Sequence, residues 1–257
     1  MPSVDQLQRY LRESARQRYD VVATPPFTIF LQPTKSDIHA NYAIPDAPVG
    51  GDLQAPLEAL RKVFAAHRRF PRFEFIEGFA PELASSLQHA GFVEEERTAL
   101  LICTPETYQP APQISDLVVT KLTDQSPLAD VRALITVQQQ AFEGDNEAAV
   151  TDEDAKYFMR WLTGSTFFLA RLDDQPVGAG SLMPALDGVA EIAGIGTLEA
   201  FRRRGIAAAV TAAATSVAFE QGVELAFLTA ADEGAGRVYE RVGFRPFATA
   251  LAYSDLD

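Results

Sequence analysis

The sequence predicts an α/β (α+β) fold, a mixed central sheet flanked by helices, with a truncated version of the same fold ahead of it. Three observations carry this expectation. From residue 117 to 253, short apolar runs of strand character alternate with helical stretches in the order β-α-α-β-β-β-α-β-α-β. Between a strand at 189–198 and an alanine-rich helix at 206–222 stands a basic glycine turn, Arg202-Arg203-Arg204-Gly205-Ile206-Ala207. A shift of 152 residues also lays three elements of the first half on three of the second.

In the second half, residues 117–122 read as a strand. A helix follows at 127–142, with Ser126 as its N-cap and Pro127 at its first position. Thr151 caps a second helix at 152–162. Strands at 166–172 and 177–183 flank the turn Asp173-Asp174-Gln175-Pro176 and form a hairpin. The strand at 189–198 holds Gly194 and Gly196, which mark a bulge or a close backbone approach. Residues 224–230 read as a short buried strand, and 232–244 as a helix stopped at Gly243. A strand at 247–253 is expected to close the domain. Residues 105–114 are Pro-rich and aperiodic, so they read as a linker between domains 1–104 and 115–257.

The first half opens with a helix at 6–18, and its first clear strand is 27–32. The 152-residue shift puts Gly91-Phe92 on Gly243-Phe244, 73–79 on 225–231, and 57–69 on 209–221. Two departures matter. Leu87 stands where the second half has Tyr239, and 48–53 (PVGGDL) replaces the basic turn. This half is therefore expected to be a degenerate, non-catalytic copy that packs on the second.

Composition narrows the function. The chain has 257 residues, 47% of them apolar and 22% charged, as in an ordinary soluble protein. No apolar run approaches the roughly 20 residues needed to span a bilayer. The polar N-terminus does not read as a signal peptide. One cysteine, Cys103, excludes an internal disulfide, and a cytoplasmic location follows as the expectation. His39, His67 and His89 all lie in the first half, so the second half has no Ser-His-Asp triad, and no metal site is expected. The net charge of −13 argues against nucleic acid and suits a cationic acceptor, although it equally serves solubility.

The turn at 202–207 has the chemistry of an anion site. The first amides of a helix lack partners and carry partial positive charge. Gly205 lets the backbone approach an anion with no Cβ in the way, and three arginines add charge.

Arg202, Gly205 and Ala207 fit the pattern Arg/Gln-x-x-Gly-x-Gly/Ala. Downstream, DEGAGRVYERVGF (232–244) is similar to Asn-x-x-Ala-x-x-x-Tyr ending in Gly-Phe. Ala235, Tyr239 and Gly243-Phe244 match, and Asp232 replaces the Asn. Together these motifs resemble the GNAT superfamily of acyl-CoA N-acyltransferases, over about 117–253. The resemblance implies a GNAT fold that uses acetyl-CoA. It places the pyrophosphate at Arg202, Arg203, Arg204, Gly205, Ile206 and Ala207. It places the pantetheine against the backbone of Ile195, Thr197 and Leu198, in a gap between splayed strands, with Asp232 and Ala235 beside it.

It also implies direct attack by an amine in a ternary complex, with no covalent enzyme intermediate. Tyr239 would then be the general acid, and otherwise a core tyrosine with a satisfied hydroxyl. Glu191, eleven residues before Arg202, would be the base, unless it only faces solvent and a water relay serves. On its own chemistry Asp232 reads as a helix cap. The acidic cluster Glu143, Asp145, Glu147, Asp152, Glu153 and Asp154 would border the acceptor, or form a solvated loop. The expected function is N-acetylation of a primary amine on a small molecule or peptide, away from membranes. The alternative is a non-catalytic acyl-CoA sensor or scaffold.

Overall fold

The computed structural model describes residues 2–33, 37–142, 144, 149–162 and 164–256. The chain divides into two compact units, residues 1–100 with 247–257, and residues 101–246. Among the described residues, no helix is long and apolar enough to cross a membrane.

The first unit begins with α1 (Val4–Arg16), whose N-cap Ser3 accepts the Gln6 amide. β1 (Asp20–Thr24), β2 (Phe27–Leu31) and β3 (Tyr42–Pro45) follow. Then come α2 (Gln54–Ala66), β4 (Arg72–Ile76), α3 (Leu83–His89) and β5 (Val93–Cys103). The chain leaves this unit within β5, after Leu100. The last strand, β11 (Arg245–Ser254), returns to it from Phe247 on. β11 lies antiparallel to β4, with Tyr253 opposite Phe73 and Leu251 opposite Phe75. Leu251 and Tyr253 are buried in one core with Leu57, Leu60, Phe64 and Phe92.

This corrects one expectation. The strand at 247–253 exists, but it completes the first unit rather than closing the second. Alternating apolar residues specify a strand and its buried face, and they do not name its partner. The first half is also fuller than expected. β1 shows little apolar alternation because it is largely exposed, and β3 has only four residues.

The structure repeats itself at the same offset. α2 starts at Gln54 and α6 (Ile206–Glu220) at Ile206, 152 residues apart. The corner after the last helix of each unit is the same. Gly91 has φ 93° and Gly243 has φ 101°. Phe92 N–H donates to Leu87 O at 3.0 Å, and Phe244 N–H donates to Tyr239 O at 3.2 Å.

The second unit contains β6 (Leu117–Leu122), α4 (Leu128–Phe142), α5 (Asp152–Phe158), β7 (Thr166–Leu172), β8 (Gln175–Leu182) and β9 (Val189–Thr197). After α6 come β10 (Leu225–Ala230) and α7 (Glu233–Glu240). Its strand order is β10-β9-β8-β7-β6. β6 to β9 are antiparallel neighbours and β9–β10 is parallel, so the sheet is mixed. α6 covers one face, packing Ile206 and Val210 with Phe168, Val177, Ile192 and Phe244. α4 and α5 cover the other, packing Leu134, Val137 and Ala155 with Leu169 and Ala179. Each large apolar side chain buried this way contributes about 1.5–3 kcal/mol. The glycines of β8 let α6 lie close to the sheet. At Gly180 an added Cβ would sit 2.4 Å from Ile195 Cδ1 and 2.7 Å from Val210 Cγ1.

Local signals held in part. Asp173 and Asp174 both have positive φ, 48° and 63°, as a two-residue hairpin turn requires. Thr151 and Asp154 form a capping box. Ser126, by contrast, does not cap α4. Its Oγ accepts the Thr123 amide at 2.8 Å, and the helix begins at Leu128. The expected linker at 105–114 belongs to the second unit. Tyr108 O–H donates to Ala212 O at 3.1 Å, and Gln109 N–H donates to Val242 O at 2.9 Å.

Candidate active site

β9 and β10 pair only over Val189–Glu191 and Leu225–Phe227. Beyond those residues β9 continues to Thr197 and β10 to Ala230, and the two strands splay. The splay begins beside a bulge. Ala179 lies opposite Gly196 and Ser181 opposite Ala193, so Gly194 and Ile195 share one place in the ladder. Gly194 has φ 61°, a conformation a side chain would strain.

The ladder fixes which way the β9 amides point. Met183 N–H donates to Glu191 O at 2.8 Å, and Leu198 N–H donates to Val177 O at 3.0 Å. Alternation then turns the Ile195 and Thr197 amides away from β8, towards the gap. Leu198 differs from expectation. Its N–H goes to Val177 and its C=O accepts from Phe201, so its backbone is already engaged. Thr197 Oγ1 is buried without a hydrogen-bond partner.

The turn after β9 ends at Gly205, the N-cap of α6, with φ 84° and no side-chain cap. The first helical bond runs from Ala209 N–H to Gly205 O at 3.0 Å. The amides of Ile206, Ala207 and Ala208 therefore have no acceptor within the helix. The three arginines play different parts. Arg202 bonds Thr197 O and Ala141 O, each at 3.3 Å, and so braces the turn to β9 and α4. Arg204 folds back, donating to Ala200 O at 3.5 Å with its guanidinium 5.1 Å from the Phe201 ring centre. Arg203 is exposed at φ 63° and makes no hydrogen bond among the described residues. An uncapped helix start, a left-handed glycine and a free guanidinium suit a pyrophosphate.

Tyr239 on α7 is 8% exposed and packs edge-on against Phe244. Its hydroxyl makes no hydrogen bond among the described residues, unlike that of a satisfied core tyrosine. Burial pushes its pKa up, and the Asp232 carboxylate adds to the shift. The phenol therefore stays protonated at neutral pH. Asp232 is the N-cap of α7, and its Oδ1 accepts the Ala235 amide at 2.8 Å. The helix-cap alternative for Asp232 is thus realised through Oδ1 and the Ala235 amide.

Glu191 is half-buried on β9, opposite Phe227. Its neighbours Ala190 and Ile192 enter the core beneath α6, so Glu191 faces the side covered by α4. The acidic cluster is only partly visible. Glu143, Asp145 and Glu147 lie outside the described residues. Asp152 pairs with Arg132 at 2.8 Å, and Glu153 lies 3.8 Å from Lys156. Thr151 holds the Asp154 carboxyl below its ordinary pKa range. These three thus have local partners around the start of α5.

The first unit repeats the frame with other residues in it. β3 and β4 meet at a single pair, Ala43 with Phe73, and diverge. There the fully buried Gln8 of α1 reaches in, and its Oε1 accepts the Ile76 amide at 2.8 Å. Leu87 replaces the tyrosine. Arg61, on α2, is bonded to Asp255 and Ala90 O.

Residues 132–244 match the family model described as Acetyltransferase (GNAT) family. No curated protein matches the chain. Solved structures do. A GCN5-related N-acetyltransferase from Kribbella flavida is 28% identical, with a TM-score of 0.83, covering 100% of this chain and 97% of its own. A tandem GNAT protein from the clavulanic acid biosynthesis pathway is 14% identical, with a TM-score of 0.64 over 99% of this chain and 88% of its own. A GCN5-related N-acetyltransferase from Sphaerobacter thermophilus is 16% identical, with a TM-score of 0.63 over 90% and 76%. The chain carries a GNAT acetyltransferase domain over residues 132–244.

Proposed function

We propose that this GNAT domain transfers an acetyl group from acetyl-CoA to a primary amine of a small molecule or peptide. One observation carries the reading. The open β9–β10 gap, edged by the Thr197 amide, leads within a few residues to the uncapped start of α6. A strand edge with unpaired amides suits the amide-bearing pantetheine arm, and the helix start suits the pyrophosphate.

When bound, acetyl-CoA supplies the thioester. The residues of this chain do the rest. The Gly205, Ile206 and Ala207 amides and Arg203 hold the phosphates. The Ile195 and Thr197 amides orient the arm. Glu191 takes a proton from the acceptor ammonium, which frees the lone pair that attacks the carbonyl carbon. As the C–S bond breaks, the Tyr239 phenol would donate its proton to the sulfur, and the proton shed by the new amide nitrogen would restore the phenol. Proximity in a ternary complex supplies the remaining acceleration.

The test is thiol release from acetyl-CoA over a panel of primary amines. Amine-dependent release supports the transferase. Tight acetyl-CoA binding with no release for any amine favours the sensor instead.

A further inference from the structure

At the β9 bulge two side chains bond the carbonyls of adjacent residues, Ala193 and Gly194. Ser181 on β8, 4% exposed, donates from Oγ to Ala193 O at 2.9 Å. Gln138 on α4 donates from Nε2 to Gly194 O at 3.4 Å. The fit is close, since a Cβ on Gly194 would lie 2.8 Å from Gln138 Nε2 and 3.7 Å from Ser181 Oγ. Neither polar group is explained by burial alone. Ser181 lies in an otherwise apolar stretch of β8, and an aliphatic residue would fill its place without the polar cost.

We propose that Ser181 and Gln138 are positioning residues that latch the β9 bulge. With the carbonyls of Ala193 and Gly194 held, the planar peptide that joins Gly194 to Ile195 is fixed in orientation. That peptide carries the Ile195 amide, the first donor on the edge of the gap. Without the latch, Gly194 would be free to rotate, since glycine populates several basins at little cost. The Ile195 and Thr197 amides would then lose their common direction. The inference rests on the acetyl-CoA reading of the gap.

The experiment compares two probes by calorimetry on the full chain. ADP carries the pyrophosphate but no pantetheine, so it reports on the 202–207 turn alone. Acetyl-CoA reports on turn and gap together. Ser181→Ala and Gln138→Met each remove a donor at nearly constant size. Each should weaken acetyl-CoA about tenfold, the scale of one lost hydrogen bond. Each should leave ADP affinity within about twofold. Variants that bind acetyl-CoA like the wild type overturn the latch and leave the acetyl-CoA reading standing. Equal weakening of both probes, with a lowered melting temperature, assigns these residues a merely structural role and also overturns it. A wild-type protein that binds neither probe overturns the acetyl-CoA reading itself, and the latch with it.

Discussion

Tyr239 and Leu87 accept the same hydrogen bond in two copies of one corner, from Phe244 N–H and Phe92 N–H respectively. The backbone role is thus independent of the side chain, and the corner does not need a phenol. What Tyr239 adds is a protonated hydroxyl with no hydrogen-bond partner among the described residues. Tyr239→Phe should therefore keep the fold and acetyl-CoA affinity while lowering kcat by about 10²–10⁴. A near-normal kcat would return Tyr239 to the core.

Much of this site was legible beforehand because its signals are local. A glycine with positive φ, a basic turn and a Gly-Phe corner are each written in a few adjacent residues. The failures were non-local. β11 has clear strand character, yet its partner β4 lies about 180 residues away in sequence. Ser126 had the right residue type for a cap and found the Thr123 amide instead. Gln138 and Ser181 gave little warning. A glutamine on a half-buried helix reads as a solvated position, and the bulge it serves is on another element. The one available hint was a serine inside the apolar run of β8.

The turn offers a charge test free of backbone strain. Gly205→Glu would block the phosphate path. It would also force a side chain into φ 84° and towards Ile114 Cδ1 at 3.1 Å, at a cost of about 1–2 kcal/mol in backbone strain alone. Arg203→Glu changes an exposed charge only. It should weaken CoA by at least about tenfold with an unchanged melting temperature. Unchanged affinity by calorimetry would remove Arg203 from the site.

Asp232 separates capping from cofactor contact. Asp232→Ala loses the bond to the Ala235 amide and should cost about 1 kcal/mol in urea unfolding. Asp232→Asn keeps a capping oxygen and should be close to neutral. Both should leave CoA affinity nearly unchanged. A large loss of affinity in Asp232→Asn, with stability intact, would put this residue back in direct contact with the cofactor.

For Glu191 the informative measurement is the pH dependence of kcat/KM. A base must be deprotonated to act, so the rate should fall as pH drops through its pKa. Glu191→Gln should abolish that acidic limb and lower the plateau by about 10²-fold or more. An unaltered limb would leave proton removal to water.

The division of the chain makes a last prediction about fragments. A cut at Gln113 follows the proline-rich segment, which looks like a natural boundary in sequence. The fragment 113–257 loses Leu101 and Cys103, both essentially unexposed in the core of the second unit. It also loses Tyr108, whose hydroxyl bonds Ala212 O. At its other end it keeps Leu251 and Tyr253 but discards Phe73 and Phe75, their partners on β4. The remaining strand would present an unpaired edge and bare aromatic surface, which promote association. This fragment should be insoluble or aggregated by size-exclusion chromatography. The fragment 101–246 keeps the core residues and drops the orphan strand, and it should be the more soluble of the two and retain CoA binding. A soluble, monomeric 113–257 fragment with cooperative unfolding would show that the second unit needs neither end of the boundary drawn here.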